Sequence, residues 1–273
     1  MKYYFLSGIP RAGNTILSSI LNQNNDICVS ANSIITEVLY KLDEWKKTDI
    51  AFNNFPDIES YECMMASILP AYYSEWDCKY IIDRSAWGTP YNISLLEKFC
   101  PNDIKIICLV RNIEDVFCSW IDWCNKNPDN YINNATNNGT IEEKFNYLIN
   151  PHSQTVQSVL SVNTLIQGDP NGEHHIIIDY DDIIHDPDKE VNRIYKFLDI
   201  PQYTHNYTKI EQFSVNGTKY DDSNLGRNLH AIRSKGILKR SYHVDVPQYL
   251  IDKCKNLNVW KINWWMFLWW INN

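Results

Sequence analysis

Apolar residues come in short, nearly unbroken runs, and each run is closed by a polar or charged residue. Tyr3 to Leu6, Tyr80 to Ile82, Lys105 to Val110 and His175 to Ile178 are four such runs; the last three stop at Asp83-Arg84, Arg111 and Asp179-Tyr180. Between them the period changes. Ile16, Leu17, Ile20 and Leu21 fall on one helical face, as do Ile34, Ile35, Val38, Leu39 and Leu42 in a helix over 33–45 with Ser33 as its N-cap. Further helical patterns cover 58–74, 91–99, 113–125 and 188–198. Strands that are apolar throughout and alternate with helices imply a sheet covered on both faces. The expected fold is therefore α/β, a three-layer sandwich around a central, mostly parallel sheet. The polar, Asn-rich stretch 127–140 reads as a surface loop, followed by helical segments broken at Pro151. Residues 202–246 show weak periodicity and read as a long loop with short helices, a common lid over a site.

The first run leads into the chain's most informative segment, Gly8 to Thr15, with the sequence GIPRAGNT. Strand, glycine-bearing loop and helix together let backbone N–H groups and a helix dipole surround an anion. The spacing of Gly8, Gly13 and Thr15 is that of GxxxxGK[ST], yet Asn14 stands in the lysine position. The cation lies inside the loop instead, at Arg11, whose forked guanidinium suits a phosphate or sulfate oxygen. Ligands of parallel sheets bind at the carboxyl ends of the strands, where the loop, Arg84, Arg111 and Tyr180 should converge.

Composition narrows the classes. A net charge of −8 argues against a nucleic-acid surface, so any anion site must be a local cluster of cations. Eight scattered cysteines without a CxxC pair are the usage of reduced thiols. With a first strand starting just after Met1 and no signal peptide, a cytoplasmic location is expected. The chain reads as one domain over 1–258 with a Trp-rich segment, 259–273, too short and interrupted to span a bilayer. That segment either packs on the core or forms an oligomer or acceptor surface.

Four segments taken in order resemble the sulfotransferases that use 3′-phosphoadenosine 5′-phosphosulfate (PAPS). GIPRAGNT resembles their 5′-phosphosulfate loop, closest to the branch of tyrosylprotein sulfotransferases and bacterial relatives. The stretch 110–119, VRNIEDVFCS, resembles the 3′-phosphate motif, with an arginine closing a strand and Ser119 eight residues on. Residues 178–187 resemble the YEDL…DP segment, and LHAIRSKG at 229–236 resembles the late basic loop over the nucleotide. The resemblance implies cofactor contacts from Arg11, Ala12, Gly13, Asn14, Thr15, Arg111, Ser119, Tyr180, Arg233 and Lys235, with release of 3′,5′-adenosine bisphosphate (PAP). It implies sulfuryl transfer to a hydroxyl, less readily an amine, of a small-molecule, glycan or peptide acceptor. The transferred group carries less charge than a phosphoryl group, so Arg11 and Arg84 can stabilise it without a metal.

Other readings stay open on the residues alone. Tyr180 suits an adenine contact or a core position, and Arg233 and Lys235 suit the nucleotide or a solvated charge run. Relatives carry a glutamate after the first helix; here that register falls on Asn32, which makes no useful base at neutral pH. Glu37 is the nearest downstream carboxylate and the candidate substitute, or else a solvent-facing helix residue. A non-catalytic PAP-binding protein or a P-loop kinase would share much of this pattern.

Overall fold

The structure, a computed structural model, describes residues 1–261 except 101–102, 213, 227–228, 233–235, 238–241 and 243. The apolar runs become strands β1 (Lys2–Gly8), β3 (Tyr80–Arg84), β4 (Ile106–Val110) and β5 (His175–Asp179). A fifth strand, β2 (Ile27–Val29), joins them. The strands lie in the order β2-β3-β1-β4-β5, and every pairing is parallel. β1 is thus central, with Leu6 opposite Arg84 on one side and Gly8 opposite Leu109 on the other. Phe5, Leu6, Ile81, Ile82, Ile107 and Leu109 are fully buried, as a strand covered on both faces requires.

The crossovers are helical: α1 (Asn14–Leu21), α2 (Ile35–Thr48), α3 (Ile50–Asn54), α4 (Ile58–Tyr72) and α5 (Pro90–Phe99). After β4 come α6 (Ile113–Lys126), α7 (Tyr131–Ala135), α8 (Ile141–Leu148) and α9 (Gln154–Gly168). β5 is followed by α10 (Tyr180–His185) and α11 (Pro187–Leu198), and α12 (Gln248–Cys254) lies near the end. The order is that of an α/β three-layer sandwich.

Three local expectations change. The N-cap position of α2 falls on Ile34 rather than Ser33, whose hydroxyl donates to Asp83 at 2.8 Å and accepts from the Ile35 N–H at 3.3 Å. The Asn-rich stretch is no mere surface loop. Asn130 is fully buried and caps α7 through the N–H groups of Ile132 and Asn133, while Asn133 donates to the carbonyls of Cys124 and Pro128. The long segment after 202 carries a small antiparallel pair, β6 (Ser214–Val215) and β7 (Thr218–Lys219). Val259 is buried and Trp260 packs against the core; residues 262–273 of the Trp-rich segment lie outside the described residues. Among the described residues no helix is long and apolar enough to cross a membrane.

Candidate active site

β1 ends at the sheet's carboxyl edge and hands over to the loop 9–13. There Arg11 and Gly13 both take left-handed backbone angles, φ +67° and +88°. For arginine this is a costly conformation, of the kind that persists where surrounding structure enforces it at a functional site. At Gly13 it is required for a second reason: a Cβ would meet the Tyr180 ring at 2.8 Å. α1 then starts without a side-chain cap and with no acidic residue in its first turn, which leaves its positive end open to an anion. Asn14, in the lysine position, braces the loop by donating to the Ile9 carbonyl at 2.9 Å.

Three arginines converge beside this loop. Arg111, at the end of β4, is 2% exposed, and its Nη1 donates to the Arg11 carbonyl at 3.1 Å and to the Tyr242 hydroxyl at 2.9 Å. Its guanidinium lies 4.2 Å from the centre of the Tyr180 ring, a cation–π contact. Asp115 stands 4.0 Å from Nη2, and Nε is buried with no hydrogen-bond partner among the described residues. Arg11 donates from Nε to Ser119 Oγ at 3.0 Å and from Nη1 to the Leu229 carbonyl at 2.7 Å, which pins the late segment over the loop. Arg84, at the end of β3, reaches Thr15 Oγ1 at 3.3 Å. Burial pushes its guanidinium down to about 10, so it remains charged at neutral pH. Behind it, fully buried Asp83 accepts from Trp87 Nε1 at 2.7 Å, from Ser33 and from Tyr73, which holds the turn after β3 in place.

These groups line a cavity of about 630 Å³ whose described wall contains Arg11, Arg84 and Arg111 and no carboxylate. In a chain of net charge −8, that is a concentrated anion site. His230 completes the wall. Its ring stands edge-on to Tyr220 at 4.5 Å, and its Nδ1 is 3.7 Å from Asp222 Oδ2. Burial and the nearby Arg84 charge hold its pKa at about 4, with Arg11 adding to the effect and Asp222 opposing it. The imidazole is therefore neutral at pH 7.

A sequence profile of the sulfotransferase domain matches residues 2–240. The chain belongs to the sulfotransferase family. This sulfotransferase is similar in fold to the sulfotransferase domain from the curacin biosynthetic pathway. The TM-score is 0.58 at 14% identity, covering 92% of this chain and 96% of that one. The sulfotransferase domain from the Synechococcus PCC 7002 olefin synthase is a second such structure, with a TM-score of 0.54 at 13% identity over 96% and 94% of the two chains. No curated protein matches the chain.

Of the residues singled out in the sulfotransferase sequence, the fold brings Arg11, Gly13, Asn14, Thr15, Arg84, Arg111, Ser119 and Tyr180 to one cavity. Ala12 is not on its wall: the side chain is buried and its N–H donates to the Ile9 carbonyl. Glu37 is not brought there either. Ile35 and Leu39 are the inward residues of α2, so Glu37 turns to solvent and pairs with Lys41 at 3.0 Å. Asn32 does line the cavity. Arg233 and Lys235 lie outside the described residues. The late segment was expected over the nucleotide, but within it Arg233 and Lys235 were singled out for their charge, while His230 and Tyr242 were not.

Proposed function

We propose that the cavity binds PAPS and passes its sulfuryl group to an acceptor hydroxyl by in-line displacement, without a metal. The observation that carries this reading is Arg111: a guanidinium 2% exposed, with an orphan Nε, set against the Arg11 carbonyl in a carboxylate-free cavity. Asp115, 4.0 Å away and partly exposed, offsets that charge only weakly, so a buried cation with an unsatisfied Nε still calls for an anion, and a 3′-phosphate would supply it.

The residues divide the work. Arg111 and Ser119 hold the 3′-phosphate, and Tyr180, itself only 3% exposed, keeps Arg111 in position. Backbone N–H groups of the loop and of the open end of α1 take the 5′-phosphate. Arg11 and Arg84 face the sulfonate and the bridging oxygen on which charge accumulates as the S–O bond breaks. When bound, PAPS supplies an activated sulfuryl group whose departure leaves PAP. His230, neutral and adjoining both arginines, accepts the proton of the attacking hydroxyl, the part that Asn32 and the solvent-facing Glu37 do not fill. The scattered cysteines, with Cys108, Cys124 and Cys254 buried, support a reducing, cytoplasmic setting.

Nucleotide binding tests the assignment. By calorimetry without magnesium, wild type is expected to bind PAP at least tenfold more tightly than 5′-AMP. Arg111→Met should remove that preference, a loss of about 1.5–3 kcal/mol for a charge-assisted hydrogen bond. Equal affinity of wild type for the two nucleotides would refute the role of Arg111.

A further inference from the structure

We infer that the acceptor is a neutral, polyhydroxylated molecule of the sugar class, received by one face of α9. The inference rests on the sulfotransferase reading above and concerns the half of the cavity away from Arg111. Gln154, Gln157, Ser158 and Ser161 stand at positions i, i+3, i+4 and i+7 of α9, hence on one face, and all four line the cavity. That face is placed beside the turn after β3. Gly88 is the point of approach, since a Cβ there would meet Leu165 at 3.0 Å and Ser161 at 3.1 Å. The α9 stripe and Arg84 therefore flank the same space, where an attacking hydroxyl must enter.

The chemistry of that face is selective. The Ser158 hydroxyl donates its proton to the Gln154 carbonyl at 2.7 Å, and Ser161 donates to the Gln157 carbonyl at 2.9 Å. Each serine has spent its only proton on its own helix and presents lone pairs outward. Gln157 spends one amide proton on the Pro151 carbonyl at 2.7 Å, which anchors the side chain and leaves its amide oxygen as an acceptor. The wall offers the serine and glutamine oxygens as acceptors and the Gln154 amide and the second Gln157 proton as donors, a mixture matched by groups that both donate and accept. An anionic acceptor would meet these lone pairs while the arginines of the cavity are committed to the charges of PAPS. A cationic one would find no carboxylate among the described lining residues to pair with. A wholly apolar one would strand the two glutamine amides. Hydroxyl groups, donors and acceptors without charge, satisfy the face.

A panel with sulfur-labelled PAPS tests this: methyl glucoside and methyl galactoside as neutral members, glucuronic acid as the anionic one, glucosamine as the cationic one, and 4-nitrophenol as the aromatic one. Label is expected on a neutral glycoside. Ser158→Val and Gln157→Leu should each raise the KM for that glycoside about three- to tenfold, the value of one hydrogen bond, with kcat and PAP affinity nearly unchanged. Label confined to the anionic, cationic or aromatic members overturns the inference and leaves the sulfotransferase reading standing. No label on either glycoside, with PAP still bound in the calorimeter, also overturns it. Loss of both PAP binding and all transfer would instead be the failure of the underlying reading.

Discussion

Arg11→Ala is expected to lower the turnover of sulfuryl transfer about 10²- to 10³-fold, the usual effect of deleting one preorganised donor at a developing charge. The side chain has two tasks. It faces the cavity beside Thr15 and Arg84, and it ties Ser119 and the Leu229 carbonyl to the loop, so PAP affinity should fall as well. Arg11→Lys keeps the charge and loses the fork, and should recover only part of the rate. Arg11→Gly separates function from folding. Glycine adopts φ +67° at no steric cost, so this variant should be about 1 kcal/mol more stable to denaturant than Arg11→Ala while being as inactive. Steady-state rates and urea unfolding on the three variants check both halves. Wild-type turnover in Arg11→Ala would remove the residue from the mechanism.

His230→Ala should cost about 10²- to 10⁴-fold in kcat, the range for a lost general base, and should abolish the acid limb of the pH–rate profile. The sign follows from the environment. Burial and Arg84 lower the imidazole from 6.5 to about 4 in the free enzyme, so the proton-accepting form prevails above about pH 4. The profile of kcat/KM for PAPS should therefore stay level down to about pH 5, where an ordinary histidine would already have lost activity. In the PAPS complex the bound anion offsets Arg84 and Arg11, raises the imidazole pKa and moves the kcat limb upward. Stability follows the same group in its own direction. The unfolded histidine takes up a proton first as pH falls, so the contribution is full above about 6.5 and is lost as pH approaches 4. His230→Gln should flatten that part of the stability profile. An unchanged acid limb in either variant would exclude His230 as the base.

Much of this architecture was legible in the residues. β1, β3, β4 and β5 are apolar on both faces and end in a polar or charged residue or a glycine turn, so their edge of the sheet, and with it Arg84, Arg111 and Tyr180, could be placed from the pattern alone. β2 could not: three residues, Ile27 to Val29, pair with β3 only because the edge is available, and so short a run carries no period. Asn130 and Asn133 misled for a related reason. Asparagine marks loops statistically, but here two of them are buried as caps and carbonyl partners, a role set by tertiary packing. Within the site, residues close in sequence to the loop or to strand ends were found. For the late return segment the resemblance gave the place but not the residues: charge drew the reading to Arg233 and Lys235, and no local rule marks His230 or Tyr242 as the side chains that meet Arg11 and Arg111. The proposed base shows the same limit: the chain offered a carboxylate, Glu37, close to Asn32, whereas His230, which lines the cavity with Arg11 and Arg84, lies almost two hundred residues further on.

Transfer itself is the most direct measurement. Purified protein is incubated in EDTA with sulfur-labelled PAPS and the neutral glycosides, and labelled product and released PAP are counted together. The account predicts one PAP for each sulfated product, at a rate that Arg11→Ala and His230→Ala each reduce at least a hundredfold. PAP bound tightly by wild type with no labelled product from any acceptor, or a rate that appears only with added magnesium and ATP, would contradict it.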